Sequence, residues 1–214
     1  MQPRELTPLD RILAGIGNAL RTVAAPAGLS PRASPAADID EGSLSPAQTA
    51  HAAGLMRVNH AGEVAAQGLY QGHAIVARSR EIGAKMQQAA DEEFDHLAWC
   101  EQRLDELGEK PSKLSPLWYA GALAMGALSG VIGDKWSLGF IAETERQVCD
   151  HLDSHLHKLP AADARSRAIV TTMRDEEAEH GENAVAAGAA ELPPAIKLLM
   201  RATAKLMTST AYRL

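Results

Sequence analysis

Two short acidic segments that nearly repeat, 84 positions apart, constrain this 214-residue chain more than any other feature. They read DEEFDH (residues 91–96) and DEEAEH (residues 175–180), and each contains a Glu-x-x-His pair. On a helix, residues three positions apart lie on the same face, so each pair presents a carboxylate and an imidazole to one point in space. The repeat therefore predicts two helices that carry equivalent chelating faces.

Four long stretches almost free of proline predict that the rest of the fold is helical as well. They cover about 45–80, 81–107, 134–159 and 162–190. The first begins with Ser-Pro, which is typical of a helix start. The alternation of apolar and polar residues that marks strands is nearly absent. We therefore predict an all-α fold built around four long helices.

The segments outside these four runs predict extra helices and a linker. Residues 1–25 have helically spaced apolar residues and predict an amphipathic helix, and residues 26–44, rich in Pro, Gly and Ser, predict a flexible linker before a domain at 45–214. The segment 114–133 carries no charge, and its length borders on that of a membrane span. Its many small residues favour instead a buried or lipid-contacting helix. Whether it spans the membrane or only contacts it stays open.

The C-terminal segment is predicted to form an amphipathic helix at a membrane surface. One side carries the apolar residues Ile196, Leu199, Met200, Leu206 and Met207, and the other carries the basic residues Lys197, Arg201 and Lys205.

Composition excludes several classes of function. The formal net charge of -6 and a pI near 5.7 disfavour binding to a nucleic-acid backbone. The two cysteines, Cys100 and Cys149, are isolated, which excludes zinc fingers, Cys-ligated iron–sulfur centres and c-type haem and predicts reduced thiols. Asp10 and Arg11 interrupt the apolar residues at the N-terminus, so no secretory signal is expected and the protein is predicted to be intracellular.

Apolar periodicity predicts that the chelating side chains point into the bundle. In the second run Glu93 fills a gap in the apolar stripe, and in the fourth run Glu177 and His180 fill the corresponding gap. Apolar residues bracket Glu145 on the buried side of the third run, and Glu63 shares a broader apolar face in the first. Unpaired, these buried charges would cost many kcal/mol, so a cation is required.

A metal pair is the expected source of this positive charge. The basic residues of the four runs mostly fall off the inward faces, and four Glu with two His are the ligands of a di-iron or di-manganese bundle. The predicted ligands are Glu63, Glu93, His96, Glu145, Glu177 and His180. Glu92 and Glu176 remain alternatives because Glu-x-x-x-His also shares a helix face, but the apolar stripes favour Glu93 and Glu177.

The motif RVNHAGE at residues 57–63 adds a family resemblance. With Glu-x-x-His at 93–96, PLW at 116–118, Glu145 and RDEEAEH at 174–180, it closely resembles the demethoxyubiquinone hydroxylase family of ubiquinone biosynthesis, over about residues 50–214. This family is a ferritin-like, carboxylate-bridged di-iron monooxygenase. The resemblance implies one iron held by Glu63, Glu93 and His96 and another held by Glu145, Glu177 and His180, with Glu93 and Glu177 bridging.

The resemblance also implies a substrate, and the residues themselves predict a co-substrate and a location. The resemblance implies hydroxylation of the ring of a polyprenyl quinol. Dioxygen is the expected co-substrate, because ferrous ions held by carboxylates and one imidazole each keep open positions. The uncharged segment 114–133 and the C-terminal helix predict peripheral association with the cytoplasmic face of the cell membrane. The electron donor is not indicated, since the sequence contains no G-x-G-x-x-G motif. A homo-oligomer and an assembly with other ubiquinone-biosynthesis proteins both stay open.

Three further residues are weaker candidates for the site. Tyr70 lies two helical turns beyond Glu63, and Asn59 lies beside it, while the resemblance suggests an outer or substrate-facing role for His151. The competing functions are a ferritin-like iron store, a peroxide-scavenging protein and a metal-free membrane scaffold. The uncharged segment 114–133 and the amphipathic terminal helices argue against a soluble shell, and the buried charges argue against a scaffold.

Overall fold

The computed structural model describes residues 8–24, 30–77 and 79–214, and all regular secondary structure within them is helical. The helices are α1 (Pro8–Val23), α2 (Pro46–Val76), α3 (Arg80–Glu106), α4 (Ser115–Ile132), α5 (Asp134–Lys158), α6 (Ala164–Ala186) and α7 (Pro194–Ala211). The prediction of an all-α fold is confirmed.

Helices α2, α3, α5 and α6 form a four-helix bundle made of two antiparallel pairs. In the first pair, Gln67 of α2 donates to the carbonyl of Ala90 in α3. In the second pair, Arg167 near the start of α6 donates to the carbonyl of Leu156 near the end of α5, at 2.6 Å. This is the predicted ferritin-like arrangement, in which each pair contributes one half of the central face.

Helix α4 links the two pairs and lies alongside α2, in the same direction. Glycines permit this close approach, because a Cβ atom on Gly72 would lie 2.3 Å from the Leu123 carbonyl oxygen and one on Gly126 would lie 2.2 Å from the Leu69 carbonyl oxygen. The small residues of α4 therefore allow close packing against α2, while the opposite face of α4 is not covered by the bundle.

Two apolar clusters lie on either side of the level at which the predicted ligands sit. The larger contains Met56, Trp99, Cys100, Leu104 and Met173, and the smaller contains Tyr70, Met86, Leu138 and Ile141. Each fully buried side chain of this size contributes roughly 1.5–3 kcal/mol to stability. The ligand level thus lies in the middle of a packed core.

The helix ends follow turn chemistry. The hydroxyl of Ser45 accepts a hydrogen bond from the amide of Gln48, whose side chain in turn accepts one from the Ser45 amide, which forms a capping box at the start of α2. Helix α6 ends at Ala186 rather than near residue 190, because Gly188 adopts a positive φ of 96° that terminates the helix.

The N-terminal region differs from the predicted linker. Residues 30–41, which we call the strap, lie on the bundle: Ala36 is buried, Ser30 bonds Asp95 at 2.7 Å, and Glu41 pairs with Arg103 at 2.6 Å. Long-range polar contacts of this kind outweigh the turn-forming composition that predicted a free linker. Residues 26–29 of the predicted linker lie outside the described residues.

Helix α1 falls within the predicted N-terminal helix. Ala19 and Val23 pack on the bundle, whereas Ile16 and Leu20 are exposed, so part of its apolar stripe is left uncovered. Residues 1–7 and 25 of that prediction are not among the described residues.

Two further helices expose apolar residues. In the described part of the chain, α4 is the one helix long and apolar enough to cross a membrane, and a third of it is buried in the protein. Leu128 and Val131 of α4 and Leu199 and Leu206 of α7 are each more than half exposed. Both helices that the sequence predicts at the membrane thus have exposed apolar residues, and their contact with lipid stays a prediction.

Candidate metal centre

The four bundle helices each place one glutamate at the same depth of the core. Glu63 (α2), Glu93 (α3), Glu145 (α5) and Glu177 (α6) are each at most 3% exposed. The histidines of the two repeats join them, His96 fully buried and His180 12% exposed. All six residues predicted from the sequence therefore lie at one centre.

Glu93 and Glu177 lie between the two imidazoles. His96 Nδ1 is 3.1 Å from Glu93 Oε2 and 3.2 Å from Glu177 Oε1. His180 Nδ1 is 3.0 Å from Glu93 Oε1 and 3.3 Å from Glu177 Oε2. Each of these two carboxylates thus directs one oxygen atom towards each imidazole.

The remaining two glutamates flank this central group. Glu63 Oε2 lies 3.8 Å from His96 Nδ1 and accepts no hydrogen bond from any described residue, although it is buried. Glu145 Oε1 accepts a hydrogen bond of 2.6 Å from the Tyr70 hydroxyl. One ligand atom from each of four residues, Glu63, Glu93, His96 and Glu177, can be chosen so that all lie within 4.8 Å of one another.

The electrostatics of the centre favour the binding of a cation. Burial, with repulsion from neighbouring carboxylates, raises the pKa of Glu63 and Glu145 well above its ordinary value. Burial opposes charge on the imidazoles too, but hydrogen bonds to Glu177 and Glu93 raise the pKa of His180 to about 12. Protons thus compensate the buried negative charge, and metal binding would release them. Hard carboxylate oxygens and imidazole nitrogens suit iron or manganese.

Glu92 and Glu176, the alternatives that the sequence left open, lie at the outer edge of the centre. Glu176 Oε2 is 2.8 Å from His96 Nε2, and Glu92 Oε2 is 2.9 Å from His180 Nε2. Each acidic residue therefore meets the histidine of the other repeat. A carboxylate on the outer nitrogen fixes the tautomer and leaves Nδ1 free to bind a metal.

One polar contact of the centre was not expected from the sequence. Arg32 of the strap donates to both oxygens of Glu176, with Nη1 3.0 Å from Oε2. Sequence reasoning missed it because the strap has no helical period that would indicate packing on the bundle.

One basic residue of the helical runs is buried, contrary to expectation. Arg103 is fully buried, but its guanidinium pairs with Asp163 at 2.9 Å and with Glu41 and Glu106. Its charge is thereby neutralised by other acidic residues and is not supplied to the glutamates of the centre.

The weaker candidates are placed differently from one another. Tyr70 contacts Glu145 rather than the nearer residue in sequence, Glu63. The amide nitrogen of Asn59 lies 3.8 Å from the Met56 sulfur, and the described residues show no hydrogen bond between Asn59 and Glu63. His151 packs on His155 with 4.0 Å between ring centroids, and burial lowers the pKa of His151 to about 4. The roles of Asn59 and His151 stay predictions.

Comparison with known proteins places this centre in a family. Residues 50–211 match the family model described as "Ubiquinone biosynthesis protein COQ7". Similar proteins from Chromobacterium violaceum (57% identical over 205 residues; 96% of this chain and 99% of that one) and Nitrosococcus oceani (53% over 212 residues; 99% of each) are named 3-demethoxyubiquinol 3-hydroxylase. A protein of the same name from Ralstonia pickettii is 55% identical over 217 residues, all of both chains. The chain belongs to the COQ7 family of ubiquinone biosynthesis proteins.

Proposed function

We propose that this protein is a 3-demethoxyubiquinol 3-hydroxylase, an enzyme of ubiquinone biosynthesis that adds a hydroxyl group to the ring of a demethoxyubiquinol. The observation that carries the proposal is a buried centre of four glutamates and two histidines. It lies in a chain more than half identical, over nearly its whole length, to proteins of that name.

Two iron ions per chain are the proposed cofactor. Glu63, Glu93 and His96 would hold one ion, and Glu145, Glu177 and His180 would hold the other, with Glu93 and Glu177 shared between them. The buried Glu63 Oε2, to which no described residue donates a hydrogen bond, and the raised pKa values of Glu63 and Glu145 support the fit. When bound, a ferrous pair supplies the open positions and electrons that activate dioxygen.

The residues of this chain orient that centre and keep it dry. Tyr70 holds Glu145 through its hydroxyl, and Glu176 and Glu92 hold the outer nitrogens of the two imidazoles. The apolar clusters on either side of the ligand level exclude bulk water from the reaction.

We assign the quinol's polyprenyl tail and the membrane surface to the exposed apolar faces of α4 and α7. Leu128 and Leu199 are 69% and 67% exposed, and burying each in lipid is favourable by roughly 1.5–3 kcal/mol. The protein is then peripheral, on the cytoplasmic face.

A vesicle-sedimentation assay tests this location. The double change Leu128→Glu and Leu199→Glu is expected to release the protein from vesicles while leaving its helix content intact. Val185→Glu, at an equally exposed apolar position of α6, is the matched control and should still sediment. Opposite-side exposure of the two ends of α4 in a protease-protection assay would instead indicate a span.

The competing function is iron handling, either storage or peroxide scavenging by a ferritin-like protein. A store takes up iron far beyond its binding sites, whereas the proposed enzyme should saturate at two irons per chain. Anaerobic titration of the metal-free protein with Fe²⁺ measures this ratio. Uptake of tens of irons per chain after exposure to oxygen, or one zinc per chain after iron-replete expression, would overturn the proposal.

A further inference from the structure

The strap crosses the surface of the bundle where α3 and α6 meet, directly outside His96. The Ser30 hydroxyl lies 2.7 Å from Asp95, and the Arg32 guanidinium stacks over the Trp99 ring, 4.9 Å from its centroid. At the other end of the strap, Glu41 binds the buried Arg103. The strap is therefore held on both sides of Arg32 by contacts that do not involve the metal centre.

Arg32 reaches the centre by hydrogen bonds through Glu176. It also stacks on Trp99, whose ring centroid lies 5.5 Å from that of His96. Its guanidinium binds both oxygens of Glu176, and Glu176 Oε2 lies 2.8 Å from His96 Nε2. The other ring nitrogen of His96 faces Glu93 and Glu177. A planar guanidinium matches a carboxylate bidentately and so restricts its rotation, which a single lysine charge would not do. Arg32, Glu176 and His96 thus form one continuous chain of contacts.

The equivalent position in the other repeat lacks such a support. Glu92 lies 2.9 Å from His180 Nε2, and its second oxygen accepts a hydrogen bond from Gln88 on its own helix. Among the described side chains, neither an arginine nor a lysine lies within ion-pair distance of Glu92, on which the Arg32 charge acts only from farther away. Its side chain is also more exposed than that of Glu176, at 40% against 27%. The arginine is therefore an addition from the strap and not a consequence of the repeat.

We propose that Arg32 is a positioning residue: it holds Glu176 so that His96 keeps its inner nitrogen directed at the metal ion of the α2–α3 half. The strap thereby tightens one of the two metal positions and leaves the other unchanged. The inference rests on the proposed function only in requiring a two-metal centre. It does not depend on which reaction the centre performs.

Equilibrium binding of Mn²⁺ to the metal-free protein tests the proposal, with free Mn²⁺ counted by its electron paramagnetic resonance signal. Changes to residues that hold a ligand's outer nitrogen typically weaken metal binding roughly 10–100-fold. We expect Arg32→Gln to weaken the binding of one of the two ions by about tenfold and to leave the binding of the second unchanged. Arg32→Lys, which keeps the charge but loses the bidentate contact, should fall between the wild type and Arg32→Gln.

The matched control is Arg21→Gln. Arg21 also stacks on an aromatic ring of α3, 4.4 Å from the centroid of Phe94, and pairs with Asp91, but it touches no partner of a predicted ligand. It should bind both ions as the wild type does. Glu41→Gln, which loosens the far end of the strap, separates the effect of Arg32 from that of the strap as a whole. It should weaken the binding of neither ion by more than about twofold.

A double-mutant cycle identifies the route of the effect. If Arg32 acts through Glu176, the variant carrying both Arg32→Gln and Glu176→Gln should bind metal no more weakly than Glu176→Gln alone. Equal binding by the wild type and Arg32→Gln, or fully additive losses in the double variant, would overturn the inference while leaving the two-metal centre in place. Failure of the wild type to bind two ions would overturn the proposed function as well.

Discussion

The two halves of the metal centre have the same predicted ligands but different surroundings. On the α2–α3 side, His96 is fully buried beneath the strap, and its outer nitrogen meets a glutamate that an arginine holds. On the α5–α6 side, His180 is partly exposed and meets Glu92, which faces solvent. The repeated residues provide the ligands, whereas non-repeated segments make the two positions unequal.

Glu63 and Glu145, the two glutamates outside the Glu-x-x-His pairs, show the opposite difference between the halves. Glu145 is held by the Tyr70 hydroxyl at 2.6 Å, whereas Glu63 Oε2 receives no hydrogen bond from the described residues. His96 is thus held more firmly than His180, because Arg32 holds its partner Glu176, whereas Glu145 is held more firmly than Glu63. An unrestrained carboxylate can shift its coordination as substrates bind, so we expect Glu63 to be the more mobile of the two.

The largest expected effect comes from removing a ligand that both halves share. Glu177→Ala should lower both the hydroxylation rate and the metal affinity by more than roughly 100-fold. A loss of 100-fold is the upper end for changes to residues that only hold a ligand in place. The metal-free variant should unfold at a lower temperature than the metal-free wild type, because Glu177 lies within 3.3 Å of both imidazoles and its removal leaves their positive charge less compensated. Quinol turnover, metal content and thermal unfolding measure these effects.

Two variants check the assignment of Glu177. Glu179→Ala, at an exposed position two residues away, should retain full activity and metal content. An active Glu177→Ala together with an inactive Glu176→Ala would show that the wrong glutamate of the pair had been assigned to the centre.

A pair of isosteric changes sharpens the contrast between the halves. Glu176→Gln should weaken metal binding by roughly 10–100-fold, because it disturbs a buried histidine and releases Arg32. Glu92→Gln should lower the metal affinity by less than about tenfold, because water can replace an exposed carboxylate at His180. Mn²⁺ titration of both variants gives the ratio of their metal affinities, and a larger loss of affinity for Glu92→Gln would reverse the asymmetry between the two halves.

The smallest expected effect concerns the α5–α6 half. Tyr70→Phe removes the hydroxyl donor to Glu145 and should weaken metal binding by about tenfold or less. Tyr119→Phe is the control, because the Tyr119 hydroxyl donates to the uncharged Gln71. Its removal should cost about 1 kcal/mol of stability without changing the metal affinity. Equal metal affinities for the two variants would show that Tyr70 does not support the centre.

Much of the bundle and the centre could be predicted because both follow helical periodicity. Glu93 and Glu177 fill gaps in apolar stripes, which is sufficient to predict that they point inward. The contacts between each histidine and the acidic residue of the other repeat could not be predicted, since they depend on the relative rotation of α3 and α6. The position of Arg32 could not be predicted either, because long-range ion pairs hold the strap and its local sequence resembles a linker.

We propose that this centre uses dioxygen to hydroxylate a quinol ring. The most direct test is a single turnover under ¹⁸O₂, in which protein loaded anaerobically with Fe²⁺ is mixed with a demethoxyubiquinol analogue and the product is analysed by mass spectrometry. We predict one ¹⁸O atom in the new ring hydroxyl for the wild type and unchanged quinol for Glu177→Ala. An unlabelled hydroxyl group, or oxygen consumption without any change in the quinol, would contradict the account.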